Sequence, residues 1–321
     1  MAKILGMGNA LVDMLIRIDS DELIEKNNLI KGGMELVDWD KASKVLESTE
    51  GLDRSQASGG SAANTINGLA KLGVETGFIG KVGRDEIGDF FKKDMFDAGV
   101  NPQLAESDTP SGVAVGLITP DAERTFATFL GAAVELSAED LKAEMFTGYD
   151  YFHIEGYLVQ NHDLIKRAVQ LAKENGLKVS LDLASFNVVE ANLEFLQDIA
   201  REYVDILFAN EEEAKSFTGK EPEEAMHDIA EMVDYAVVKI GSKGSMVKHQ
   251  GQVYTAGVIK ANSIDTTGAG DLFASGFLYG LHKGLPLDEA LRIGSVVAGN
   301  VIEVMGAKMD EERWKRIFDM I

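Results

Sequence analysis

From about Tyr149 onward, short β-rich runs alternate with helical patterns, and this alternation constrains the fold more than any other feature. YDYFHIEG reads as a strand, and His162 to Glu174 as a helix closed by Asn175-Gly176. LKVSLDL is the next strand, followed by a helix to about Tyr203 and the strand VDILFA. Two short helical stretches lead to YAVVKI, and SMVKH-QG-QVYTA reads as a hairpin. From Asp271 on, the pattern is mostly helical. Strands separated by helices imply a mainly parallel sheet with helices on both faces. Ligands of such doubly wound sheets lie beyond the strand C-termini.

The N-terminal half is less regular. AKILGMGN reads as a first strand, and LVDMLIRID alternates like a half-exposed antiparallel strand. SGVAVGLIT and RTFATFL add further strand signals that interrupt the helical pattern elsewhere. Together they are expected to form one small, discontinuous sheet covering the main domain. The expected division is a large α/β domain of residues 1–13, 50–108 and 133–321, with a β lid of residues 14–49 and 109–132. Gly59-Gly60 is the expected hinge, because glycine tolerates large φ/ψ changes. Trp39 is expected on or beside the lid.

Composition narrows the function. The formal net charge of −22 argues against binding a long nucleic acid or an anionic membrane, though not a nucleotide. With no cysteine there is no thiolate zinc site and no cysteine nucleophile. The histidines show no metal-ligand spacing. No apolar run reaches the roughly 18 residues of a membrane span. The opening MAKILGMGNALVDML lacks a basic n-region and a cleavage site, so a cytoplasmic location is expected.

DTTGAGDLFASGF, Asp265 to Phe277, carries the sharpest chemical signal. Phe273, Phe277 and Leu281 share one helical face, which places Gly268, Ala269 and Gly270 at the helix start. Free amides and the positive dipole end favour an anion there, and small residues let a phosphate approach. Asp271 would then lie beside whatever attacks that phosphate, able to position a hydroxyl and take its proton. The same residues also make a plain capping turn. SGGSAANT is a second small-residue turn ahead of a helix, where Asn64 can meet a hydroxyl or merely help start the helix. NEEEA follows a strand and offers acids to a hydrated Mg²⁺, or a solvated first helical turn. KIGSKGS brings Lys239, Gly241 and Gly244 to a nucleotide-facing loop or a simple hairpin.

DTTGAGDLFASGF resembles the C-terminal signature of the ribokinase-like (PfkB) family of carbohydrate and nucleoside kinases, and SGGSAANTINGLAKLG its N-terminal signature. ILGMGNALVDML, RTFATFLGAA and YVDILFANEEEA look most like the adenosine kinase branch. The resemblance implies a Rossmann-like three-layer α/β/α domain with a small β-sheet lid. It implies ATP and Mg²⁺, leaves room for a monovalent cation such as K⁺, and allows a monomer or a homodimer. By this resemblance Asp271 is the base and the amides of Gly268, Ala269 and Gly270 the anion hole. Asn9, Asp13, Gly59, Gly60 and Asn64 match acceptor-binding positions. Asn210 and Glu213 match an Asn-x-x-Glu pair acting on Mg²⁺ through water. Arg124 matches an arginine over the phosphates, and Lys239, Gly241, Gly244 and Asn300 fall near the nucleotide. Phe186, without the neighbouring proline of adenosine kinases, would offer a base its aromatic face, along with Leu36 and Phe126 from the lid. The expected reaction is phosphoryl transfer to the primary hydroxyl of a nucleoside, adenosine first and ribose as the sugar alternative. Two rivals remain. GMGNAL is part of a dinucleotide fingerprint, but Leu11 stands at its third small-residue position and a strand-like pattern follows. A non-catalytic sugar- or nucleoside-binding protein would have no need of Asp271.

Overall fold

The structure is a computed structural model that describes residues 3–121 and 123–321. Ala2, which opens the expected first strand, lies outside them, as do Met1 of the large-domain range and Ala122 of the lid range. In chain order the strands are β1 (Lys3–Met7), β2 (Leu11–Arg17), β3 (Met34–Leu36), β4 (Arg54–Gly59), β5 (Glu75–Gly83), β6 (Val100–Ser107) and β7 (Gly112–Ile118). They continue as β8 (Arg124–Phe129), β9 (Tyr151–Glu155), β10 (Lys178–Asp182), β11 (Ile206–Asn210), β12 (Tyr235–Lys239), β13 (Ser245–His249) and β14 (Gln252–Ala256).

The large sheet is nine-stranded, in the order β14-β13-β12-β11-β10-β9-β1-β5-β6. From β12 to β6 all neighbours are parallel, and the β13–β14 hairpin closes one edge antiparallel. Strands covered on both faces should be almost continuously apolar, and β1, β9 and β11 are buried at all but one position each. One face packs Leu5, Phe152 and Ile154 under the helices His162–Glu174 and Leu193–Tyr203. The other packs Ile4 and Phe208 under the helices Ser61–Lys71 and Ala269–His282, the latter contributing Phe277. Each such fully buried Leu, Ile or Phe contributes roughly 1.5–3 kcal/mol.

The small sheet is five-stranded, β3-β8-β7-β2-β4. The alternation in β2 buries Val12, Met14 and Ile16 and turns Leu11, Asp13 and Leu15 toward a central cavity. β2 is antiparallel to β4, as expected, but parallel to β7 on its other side. The sheet also takes in Arg54–Gly59, which the sequence boundaries gave to the large domain. RSQASG has little apolar character, so its strand identity comes from pairing with β2 and is invisible in its own pattern. Trp39 packs beside this sheet, with its ring centroid 5.3 Å from that of Phe129.

The chain runs from β1 to β5 and β6 on one side, and from β9 to β12 on the other. The order therefore reverses at the β1–β9 pair, and doubly wound sheets bind ligands at such a point.

Candidate active site

A cavity of about 1720 Å³ lies between the strand C-termini and the small sheet. Pockets for a single small ligand are usually about 300–1,000 Å³, so this one has room for a donor and an acceptor together. The ends of the parallel strands supply polar and charged groups: Glu155 ends β9, Asp182 ends β10, the neutral Asn210 ends β11 and Lys239 ends β12.

Asp271 sits in the first turn of the helix Ala269–His282. Its Oδ1 accepts from Ser61 Oγ at 2.7 Å and its Oδ2 from Asn64 Nδ2 at 2.9 Å. The first turns of the helices Ser61–Lys71 and Ala269–His282 thus meet at one carboxylate. Burial pushes Asp271 up to about 6, against the hydrogen bonds from Asn64 and Ser61 that pull it down. Gly268 caps the helix at φ +75, in the left-handed region where glycine carries no steric cost. The Ala269 amide already donates to the Thr266 carbonyl at 3.1 Å. Of the three amides expected to form an anion hole, that of Ala269 is therefore engaged within the turn, while the amides of Gly270 and Asp271 precede the helical ladder, which begins with Leu272 N donating to the Gly268 carbonyl.

Lys239 is the cation of this centre. Its Nζ is 3.0 Å from Asp182 Oδ2, and a Cβ on Gly270 would stand 3.2 Å from the same ammonium. Burial alone would lower Lys239, but Asp182 and then Glu213 hold it above its ordinary value. Asn210 and Glu213 form a reciprocal capping box: Asn210 N donates to Glu213 Oε2 (2.7 Å) and Glu213 N to Asn210 Oδ1 (2.9 Å). Burial, reinforced by Asp182, pushes Glu213 up to about 7.

At the switch point Glu155 is 1% exposed. Its Oε1 accepts from Asn9 N (2.9 Å) and Asn9 Nδ2 (2.6 Å), and its Oε2 from Ala62 N (2.9 Å). It ties two of the four crossings between the two sheets, the one at Asn9 and the one at Ala62, to the end of β9. Burial pushes it up to about 7 despite those bonds. Gly60, between β4 and the helix Ser61–Lys71, has φ +103, and a Cβ there would strike the Asn9 carbonyl.

Most expected site residues converge on the cavity wall: Asn9, Asp13, Gly60, Asn64, Arg124, Asn210, Glu213, Lys239, Gly241, Gly244 and Gly268 to Asp271. Three do not. Gly59 stays behind Asp13, where a side chain would collide with that carboxylate. Asn300 is fully buried and donates to the Val296 carbonyl within its own helix. Phe186 is 40% exposed, outside the cavity wall, at the start of the helix Phe186–Ala191. Arg124 lines the cavity but ion-pairs with Asp265, the residue that opens the GAGD turn. Sequence reasoning missed Ser61, Glu155, Tyr157, Asp182, Asp265 and Lys308. The positions of Glu155 and Asp182 at the ends of recognised strands were the available signal.

The fold has close counterparts among solved kinases. The chain is 32% identical to an adenosine kinase from Sinorhizobium meliloti, with a TM-score of 0.86 over 100% of this chain and 99% of that one. It is equally similar to a probable sugar kinase from Rhizobium etli, at 32% identity and TM-score 0.86, covering 99% of this chain and 98% of that one. A 5-dehydro-2-deoxygluconokinase of Shouchella clausii is 31% identical over 271 residues, 76% of this chain and 80% of that protein. The chain belongs to the pfkB family of carbohydrate kinases, whose model matches residues 33–313. It is a kinase by family, which implies use of ATP.

Proposed function

We propose that the protein transfers the γ-phosphoryl group of ATP to the primary hydroxyl of a nucleoside, adenosine being the first choice. The observation that carries the transfer is Asp271, a carboxylate held by Ser61 and Asn64 beside free helix amides and the Lys239 ammonium. Bound with Mg²⁺, ATP supplies the transferable phosphoryl group. Asp271 orients the acceptor hydroxyl and receives its proton, and the amides of Gly270 and Asp271 with Lys239 hold the charge on the transferring group. Among the described residues no cluster of three or more acidic or histidine side chains could hold a metal ion. Glu213, already engaged by Asn210, fits an ion held through its own water, in keeping with the reluctance of Mg²⁺ to shed water. Arg124 and the loop glycines Gly241 and Gly244 would lie along the nucleotide. The small sheet would close over both ligands, turning at Gly60.

The acceptor end supports a nucleoside. Tyr157 lines the cavity at 42% exposure, with Leu136, Leu158, Leu164 and Val188 beside it. Leu15, Leu36 and Phe126 of the small sheet add further apolar surface. A base would cover this surface and a free sugar would leave it wet. Asn9, Asp13 and Asn64 remain for the ribose hydroxyls. The second reading, a kinase for ribose or a sugar acid, is favoured by the Shouchella relative. Incubation with ATP, Mg²⁺ and adenosine, followed by ³¹P NMR of the product, tests the proposal. A nucleoside 5′-monophosphate is expected from the wild type and not from Asp271→Asn. Formation of ADP with only inorganic phosphate beside it would overturn the assignment.

A further inference from the structure

Between β14 and the helix Ala269–His282, residues 257–267 form neither helix nor strand. The segment starts against the loop of Gly241 and Gly244, where a Cβ on Gly244 would strike the Ala256 carbonyl. It ends in the turn that opens the Asp271 helix. Val258, Ile259 and Ala261 line the cavity, and Ala298, Gly299 and Ile302, at the end of the helix Leu287–Val301, line it beside them. Ile259 rests on the bare backbone of Gly299, where a Cβ would collide with it. This apolar surface thus runs from the loop glycines to the turn below the phosphates, on the nucleotide side of the cavity.

A segment so exposed needs anchors. Val258 and Ile264 are 54% and 61% exposed. At the far end, the amides of Ile264 (2.7 Å) and Asp265 (3.1 Å) donate to the Ile302 carbonyl. Among the described residues, one hydrogen bond holds the backbone of residues 257–263: the Asn262 amide donates to Glu303 Oε1 at 2.8 Å.

Glu303 itself is not part of the cavity wall. Its Oε2 accepts from Arg313 at 2.6 Å and from Arg316 at 3.2 Å, both on the helix Glu311–Met320. Arg313 also donates to the Asn300 carbonyl at 3.3 Å, in the last turn of the helix Leu287–Val301. The Glu303 and Arg313 side chains are only 12% and 22% exposed, so water and salt screen this pair less than a surface ion pair. Two guanidiniums fix the carboxylate from behind, and its other oxygen receives the Asn262 amide. A hydrogen bond to an ionised acceptor is of the stronger kind.

We propose that Glu303 is a positioning residue of the nucleotide site: held by Arg313 and Arg316, it pins the Asn262 amide and so sets Val258, Ile259 and Ala261 as the wall on which the base and ribose of ATP rest. The inference rests on the reading that places the nucleotide along Gly241 and Gly244.

The test is calorimetric affinity for ADP with Mg²⁺ and, separately, for adenosine, together with steady-state kinetics. Glu303→Ala is expected to weaken ADP binding and raise KM for ATP about tenfold, in keeping with the loss of a hydrogen bond to a charged group. Adenosine affinity, and kcat at saturating ATP, should change by no more than about twofold, the pattern of lost binding that does not grow in the transition state. Arg316→Met, at a half-exposed position, should act in the same direction by less, and it serves if Glu303→Ala does not fold. A merely structural role would lower Tm and weaken both ligands alike, which overturns the inference. If both ligands bind the variants as they bind the wild type, the role of Glu303 falls and the nucleotide reading stands. If the variants weaken adenosine and spare ADP, the segment belongs to the acceptor and the nucleotide reading falls with it.

Discussion

The two ends of the cavity are built by different rules. At the nucleotide end, charged residues stand on the last residues of parallel strands and on helix N-termini, each locked to a partner: Asp182 to Lys239, Glu213 to Asn210, Asp271 to Ser61 and Asn64. At the proposed acceptor end, Tyr157, Leu36, Phe126 and Val188 form an apolar wall beside the polar Asn9 and Asp13. On the proposed function, the backbone sets the chemistry, while side-chain shape selects the acceptor. Substitutions at the first end should act on kcat for every acceptor. Those at the second should act on one acceptor and spare another.

The largest effect is expected at Asp271. Loss of a general base typically costs about 10²–10⁴-fold, so Asp271→Asn should lose that much kcat while adenosine affinity by calorimetry holds within a few-fold. Turnover close to wild type would remove Asp271 from the mechanism. Its titration gives a second readout. Asp271 must be ionised to take a proton, so kcat should fall as pH drops through about 6. Because the folded value lies above the unfolded one, the stability this group contributes is present below about 4 and is lost as pH rises through about 6. Asp271→Asn should therefore unfold at a higher temperature than the wild type at about pH 8, while being the slower enzyme. An equal or lower Tm would mean that burial of this carboxylate costs little.

The same contrast governs what was legible in the sequence. The placement of Gly268 to Asp271, Asn64 and the Asn210–Glu213 pair at helix starts and a strand end could be read because these positions have local signatures. Even there, the loss of the Ala269 amide to Thr266 could not be foreseen, since it depends on how the turn folds back. Glu155 and Asp182 end strands that were identified correctly, yet an acid at a strand end does not by itself announce that it is buried. The acceptor wall gave no such signal. Phe186 and Tyr157 both follow strands by a few residues, and only packing sends one to the surface and the other into the cavity. The strand Arg54–Gly59 was missed for a similar reason, since β2 supplies its pairing.

Smaller effects follow at the acceptor end. Stacking of a base on an aromatic side chain is worth about 1–3 kcal/mol by alanine substitution. Tyr157→Ala should accordingly reduce kcat/KM for adenosine by about 5- to 150-fold and leave any ribose turnover nearly unchanged. An equal loss for both would place Tyr157 in general packing. Phe186→Ala, outside the cavity wall, should change kcat/KM by no more than about twofold. A large adenosine-specific loss there would mean that Phe186 swings inward when the acceptor binds.

The most direct test compares kcat/KM in one ADP-release assay for adenosine, ribose and 5-dehydro-2-deoxygluconate. An apolar wall that a base covers should favour adenosine over both sugars by at least about tenfold. Equal or higher values for either sugar would contradict the nucleoside assignment while leaving the phosphotransfer centre at Asp271 in place.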